Sequence, residues 1–441
     1  MATGITKGER IGKSAIIAST HAVEPDPLPP EGSGVSIVYP NKLDERDVLR
    51  DYDVSFVAVD MKGGEADRAA IEPNSLVVCN NIYGLGKALE TNAGKVKLIY
   101  TDPPYGTGMG FHSRGLTHAY DDHMDEANYM EFIRRRLILC RELLSDDGSI
   151  YLHIGHQMVA ELKLVMDEIF GRANFRNLIA RRKCSSKNST RNSYPNLLDF
   201  VLFYSKSKNY EFNQPTEEPS EEWLLREYPK QDARGRYKLV PVHAPGTRNG
   251  ATGSEWRGML PPPGKHWQYT PTKLDELDAN GEMHWSKNGN PRRKVYLEAN
   301  KGLPMTDYWG GYRDAHHQSI AISGYPTEKN LDMVKKIVSA GSSKGDLVVD
   351  PFCGSGTTMH AADDLSRRWI GFDQSLTAAE ATVRRLRRGL SKMGDYVAAE
   401  SPERDLFGSA SRSFQLVFDR ELLMAHPDEV QRISTITPHC P

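Results

Sequence analysis

The sequence predicts an α/β fold on a mostly parallel sheet, and three observations carry that prediction. Short apolar, strand-like runs alternate with helical patterns in two stretches of the chain, 74–171 and 320–392. Two of these runs end in tight turns, TDPPYGTG at 101–108 and DPFCGSGTT at 350–358. Between the two stretches the rhythm stops, and residues 172–319 read as an inserted domain.

Taken in order, residues 1–73 form an arm of weak periodicity, with the linker-like PDPLPPEGSG at 25–34. SLVVCN then reads as a strand, a short helix follows, and KVKLIY is the second strand. That strand must stop at Asp-Pro-Pro-Tyr, because proline lacks an N–H and fixes its own φ. Met130, Ile133, Leu137 and Leu144 keep near-helical spacing, GSIYLHI at 148–154 is the next strand, and a further helix runs towards Phe170. In the insert, strand signals such as LLDFVLFYS are scattered through irregular chain containing PPPGKHWQYTP. Order returns at YPTEKN, where Thr327 is expected to cap a helix with Leu331, Val334, Ile337 and Val338 on one apolar face. DLVVD, the glycine turn, an Ala-rich helix and WIGFD complete the second stretch, and residues 393–441 form a tail.

Composition narrows the function classes. A net charge of -2 and a pI near 6.7 exclude a whole-protein basic field, so any nucleic-acid surface is a local patch. The five cysteines show no CxxC and no zinc spacing, and His316-His317 lacks a third ligand, so no metal is expected and the compartment reads as reduced and cytoplasmic. No apolar run approaches a membrane span and no signal-peptide core is present, so no membrane partner is expected.

Chemistry concentrates in the two turns. The first holds the Asp102 carboxylate, the Pro103 and Pro104 carbonyls and the Tyr105 ring in one stiff corner. Acceptors beside a stacking face suit an amino group on a flat heterocycle. In the second turn, Gly354 and Gly356 permit close backbone approach by a ligand, and Asp373 ends the next strand, where an acid can hold two ribose hydroxyls. This is a nucleoside-binding arrangement. Only Gly-Ser-Gly is present, not GxGxxG, and a nicotinamide dehydrogenase would leave DPPY without a role. Cys353 reads as packing.

DPPY followed, after a long insert, by DPFCGSGTT resembles the β class of DNA amino-methyltransferases. YTDPPYGTG, AYDD, RLILCRELLSDDGSIYLHI and MDEIFG are similar to the modification subunit of type III restriction systems. The resemblance implies a circularly permuted, Rossmann-like methyltransferase core with the insert as target-recognition domain. It also implies S-adenosyl-L-methionine as cofactor, double-stranded DNA as partner, a flipped-out target base, and adenine N6 as acceptor. Carried over by residue, Asp102, Pro103, Pro104 and Tyr105 form the catalytic motif. Asp350, Phe352, Gly354, Ser355, Gly356 and Thr357 form the cofactor loop, with Asp373 as the ribose acid. Pro326, Thr327, Glu328 and Lys329 lie against the cofactor carboxylate end, and Asp102 borders the cofactor. Two positions depart: the family's GDN reads Cys79-Asn80-Asn81, leaving Asn80 to bond the cofactor's adenine amine without charge, and the Asn after DPPY is Gly106. The alternatives are a cytosine-N4 enzyme and a silent DNA-binding specificity protein on the same fold.

The basic stretch at 172–198 carries seven Lys or Arg and no acid. Arg181, Arg182, Lys183, Lys187, Asn188 and Arg191 are expected to meet DNA, and NPRRKVY at 290–296 is a weaker patch. A homodimer on a palindromic site and a restriction subunit are the further partners expected.

Overall fold

The computed structural model describes residues 36–50, 52–68, 70–105, 111–112, 118–120, 125–184, 192, 194–297, 302–314, 321–322, 328–392 and 413–437. Its main sheet has eleven strands, numbered in chain order. They are β1 (Phe56–Val59), β2 (Glu65–Arg68), β3 (Ser75–Val78), β4 (Val96–Thr101), β5 (Leu144–Ile154) and β6 (Phe175–Arg182). The others are β7 (Leu198–Ser205), β8 (Tyr308–Trp309), β9 (Leu347–Asp350), β10 (Arg368–Asp373) and β11 (Gln415–Asp419). The spatial order is β8-β6-β7-β5-β4-β9-β10-β3-β11-β1-β2. The run from β5 to β11 is parallel, and antiparallel pairs extend it at both ends.

Side-chain alternation explains why helices cover both faces. Val77, Ile99, Ile150 and Val349 point to one face, where α1 (Asn81–Asn92), α2 (Glu126–Leu143) and α3 (Val159–Phe170) pack. Leu76, Leu98, Tyr151 and Val348 point to the other, under α4 (Leu331–Gly341), α5 (Thr357–Asp364), α6 (Leu376–Arg388) and α7 (Pro427–Ser434). β9 and β10, late in the chain, are threaded between β4 and β3. That threading makes β4 and β9 parallel neighbours, so the two chemistry-bearing turns leave the same edge of the sheet side by side.

Three expectations are corrected. The boundary at 172 falls inside the sheet: LLDFVLFYS is β7, paired with β5 from Ser149↔Ser205 to Ile154↔Phe200, and β6 pairs with it in turn. A continuous apolar run is what a strand buried on both faces requires. The arm and tail also enter the sheet, through β1, β2 and β11. Helix α4 starts at Leu331 with Asn330 as its cap, the carboxamide accepting from Met333 N–H at 3.1 Å, while Thr327 lies outside the described residues.

The separately cored part of the insert starts and ends at a two-strand neck, Thr216–Glu217 against Leu303–Pro304. Beyond it lies a four-stranded antiparallel sheet with its own cluster of Val242, Trp256, Trp267, Leu274, Leu277 and Met283. Among the described residues four cysteines are free and buried, no acid, His or Cys cluster has metal-site geometry, and no helix is long and apolar enough to cross a membrane.

Candidate active site

The corner after β4 is held from several sides. Tyr105 donates its hydroxyl to Asp102 Oδ1 at 3.0 Å, and Lys329 Nζ lies 2.7 Å from Asp102 Oδ2. The same ammonium is 5.3 Å from the centre of the Tyr105 ring. Tyr129 of α2 donates to the Pro104 carbonyl at 2.5 Å. Burial and the adjacent Asp102 charge push the Tyr105 phenol well above its ordinary range, so it stays a donor.

Behind the corner, the Tyr100 hydroxyl and His153 Nδ1 share a 2.8 Å hydrogen bond, and the His153 ring lies 6.3 Å from that of Tyr105. Burial pulls the His153 pKa down, against the Asp199 and Asp102 carboxylates that raise it. His153 Nε2 faces Asp199 Oδ2 at 3.6 Å. Burial pushes the Asp199 carboxyl up, but His153, Lys329 and Lys183 outweigh it and hold it below the usual range.

The second turn is wound around two acids. Asp350 accepts from Phe352 N–H at 3.0 Å and from the Thr358 hydroxyl at 2.5 Å. Gly354 and Gly356 sit at φ +50° and +75°, a region that favours glycine, and Gly356 starts α5. Asp373 accepts from Gly354 N–H and Ser375 N–H, both at 2.9 Å, which ties the turn to the end of β10. Arg385 of α6 pairs with Glu328 at 2.9 Å and reaches the Ser355 carbonyl, joining α6, the turn and the start of α4.

Burial pushes the Asp350 carboxyl up to about 7, against the two hydrogen bonds that favour its charge. A pKa raised in the folded state adds stability that is complete below the unfolded value and is lost as pH rises through the folded one. Asp350→Asn is therefore expected to flatten the fall in thermal stability between about pH 4 and pH 7. An unchanged profile would assign that pH dependence to another group.

Both turns open into one cleft of about 1120 Å³. Of the residues expected from sequence, Asp102, Pro103, Pro104, Tyr105, Lys329, Asp350, Phe352, Gly354, Ser355, Thr357 and Asp373 line it together. Gly356 does not line it but shapes the turn, and Pro326 and Thr327 lie outside the described residues. Asn80 is corrected: its carboxamide oxygen is turned to the start of α1, accepting from Ile82 N–H at 3.3 Å and from Arg136 Nη2 at 3.0 Å. The next residue, Asn81, lines the cleft instead.

Sequence reasoning missed Arg136, which is buried over the Phe132 ring at 3.6 Å and donates to Asn81 Oδ1 at 2.5 Å. The available signal was an arginine one turn after Phe132 and next to the apolar Leu137 on the same helix. The cleft fits a nucleoside with a charged tail. A glycine cradle faces it, Asp373 keeps acceptor capacity beyond its two backbone donors, and cations stand at Arg136 and Lys329.

The basic stretch is also corrected. Arg181 is fully buried, pairing with Asp314 at 2.7 Å and Asp199 at 3.3 Å and donating to the Tyr312 carbonyl at 2.7 Å. Lys183 Nζ lies 2.7 Å from Asp199. Both charges are taken up by carboxylates, the buried Asp199 and the partly exposed Asp314, so neither is free for phosphate. Arg182 points the opposite way along β6 and is half-buried, donating to the Cys184 carbonyl at 3.2 Å. Lys187, Asn188 and Arg191 lie outside the described residues. Arg181→Met is expected to cost about 3 kcal/mol in urea unfolding, the lower end for a broken buried pair because Lys183 still meets the buried Asp199. The salt dependence of DNA binding should not change, whereas loss of a phosphate contact would lower its slope by about one.

An acceptor corner and a nucleoside-type glycine turn on adjacent parallel strands define a group-transfer site for a heterocyclic amine. The chain belongs to the N6/N4 family of DNA methyltransferases, whose model, described as DNA methylase, matches residues 96–384. It is 57% identical over 397 residues to the type II methyltransferase M.EcaI of Enterobacter cloacae, covering 90% of this chain and 87% of that one. It is 28% identical over 373 residues to the StyLTI type III Mod subunit of Salmonella typhimurium strain LT2, covering 70% of this chain and 55% of that one. The crystal structure of the M1.HpyAVI–SAM complex aligns over 71% of this chain and all of that one, with 17% identity and a TM-score of 0.38.

Proposed function

We propose that this protein is a site-specific DNA methyltransferase acting on adenine N6 in double-stranded DNA, with S-adenosylmethionine as donor. The observation that carries the reading is the single cleft shared by Asp102–Tyr105 and the glycine turn with Asp373. When bound, S-adenosylmethionine supplies an electrophilic methyl group. We assign Asp373 to the ribose hydroxyls, Gly354 and Ser355 to the donor's amino-acid tail, and Phe352 to packing against the donor.

An exocyclic amine is a poor nucleophile because its lone pair is delocalised into the ring. Asp102 and a proline carbonyl accept its two N–H groups, which favours a pyramidal nitrogen with the lone pair aimed at the methyl. Pro104's carbonyl already accepts from Tyr129, so Pro103 is the carbonyl we assign to the amine. Tyr105 offers the stacking face, and the base must leave the duplex to reach it. The Asp-Pro-Pro-Tyr form of the motif favours adenine over cytosine.

Arg182, Lys187, Asn188 and Arg191, with the insert beyond the neck, are proposed to meet the DNA. A homodimer on a palindrome, and a restriction subunit as partner, belong to the same reading. The test is a map of modified bases in DNA from cells expressing the protein. N6-methyladenine at one short sequence supports the reading; N4-methylcytosine there moves the target, and an unmodified genome overturns the activity.

A further inference from the structure

Asp102 has no idle oxygen. Oδ1 accepts from Tyr105 at 3.0 Å, and Oδ2 is held by Lys329 at 2.7 Å in a pair whose side chains are only 10% and 16% exposed. The Lys329 ammonium thus stands, as an amine stand-in, hydrogen-bonded to Asp102 and near the Tyr105 ring, where the target amine has to bind. A lysine displaced into this cleft needs another anion, because a partly buried charge without a partner is costly. The lining acids are already engaged: Glu328 with Arg385, Asp350 with Phe352 N–H and Thr358, and Asp373 with Gly354 and Ser375 N–H. An incoming carboxylate would meet that need.

We infer that Lys329 exchanges partners, blocking Asp102 in the empty enzyme and releasing it when the carboxylate of an S-adenosyl amino acid takes the ammonium. The inference rests on the donor reading above. Its consequence is an order of binding. A flipped adenine meets an available Asp102 only after the donor is in place, so base capture without a methyl group to transfer is suppressed. The ion pair also acts as a competitor of the donor. A ligand's apparent affinity falls by the fraction of protein in the competent state, so a pair closed about nine-tenths of the time weakens carboxylate binding about tenfold.

Calorimetry on the full chain tests this with two neutral-sulfur probes, S-adenosylhomocysteine, which carries the amino-acid tail, and 5′-methylthioadenosine, which lacks it. A thioether avoids any direct attraction between a sulfonium and Asp102. Asp102→Asn is expected to tighten S-adenosylhomocysteine about tenfold by freeing Lys329, and to leave methylthioadenosine unchanged. Lys329→Met should weaken S-adenosylhomocysteine and remove the gain in the double variant. Methylthioadenosine binding by each variant reports an intact cleft. If Asp102→Asn leaves S-adenosylhomocysteine unchanged or weaker, or tightens both probes alike, the exchange is overturned while the donor site stands. If neither probe binds the unmodified protein, the donor reading fails and the exchange falls with it.

Discussion

Asp102→Ala is expected to abolish methyl transfer while leaving donor affinity within about tenfold of the unmodified protein. The carboxylate acts on the target amine, and an interaction realised in the transition state appears in turnover more than in ground-state binding. Removing one preorganised acceptor or donor from such a site costs about 10²–10³ in rate. Here the loss should be at the upper end or beyond, because Asp102 is the only charged acceptor assigned to the amine. Single-turnover kinetics with labelled donor separates the two effects. Near-normal turnover would remove Asp102 from the chemistry, and a rate loss matched by an equal loss of donor affinity would make it a donor-site residue.

Gly356→Val carries the second large effect, in the opposite compartment of the cleft. The residue sits at φ +75°, and a Cβ there would stand 2.7 Å from Thr382 Cγ2 on α6. A β-branched side chain in that backbone region costs on the order of 1–3 kcal/mol, and the contact with α6 adds to it. The turn must shift, and with it Gly354 N–H, which is bound to Asp373. Donor affinity should fall by at least about tenfold, since 1.4 kcal/mol is a factor of ten, and methylation should fall with it. Calorimetry with the donor reads this directly. Retained affinity would place the cofactor away from the glycine turn.

What was legible in the sequence follows the range of the forces involved. Asp102–Tyr105 and the 352–357 turn stood out because Pro and Gly interrupt a strand locally, whatever else the chain does. Both turns then met in one cleft, since parallel strands deliver their ends to one edge of a sheet. The pairing of charges was not legible. Arg181 reads as a surface cation beside Arg182 and Lys183, yet its partner Asp314 lies 133 residues away. Glu328 and Arg385 are 57 residues apart, and no local period encodes their meeting. The arm and tail failed for a related reason. β1 and β11 are runs of four and five residues that pair with each other across most of the chain, and β11 pairs with β3 at similar range. Asn80 shows the limit of reading a motif by position, because its carboxamide caps α1 while the neighbouring Asn81 lines the cleft.

The most direct measurement of the central claim uses purified protein, duplex DNA and S-adenosylmethionine with an isotopically labelled methyl group, followed by digestion and mass analysis of the nucleosides. Labelled N6-methyladenine is expected from the unmodified protein and none from Asp102→Ala. Label in N4-methylcytosine, or label that persists at full yield in Asp102→Ala, would contradict it.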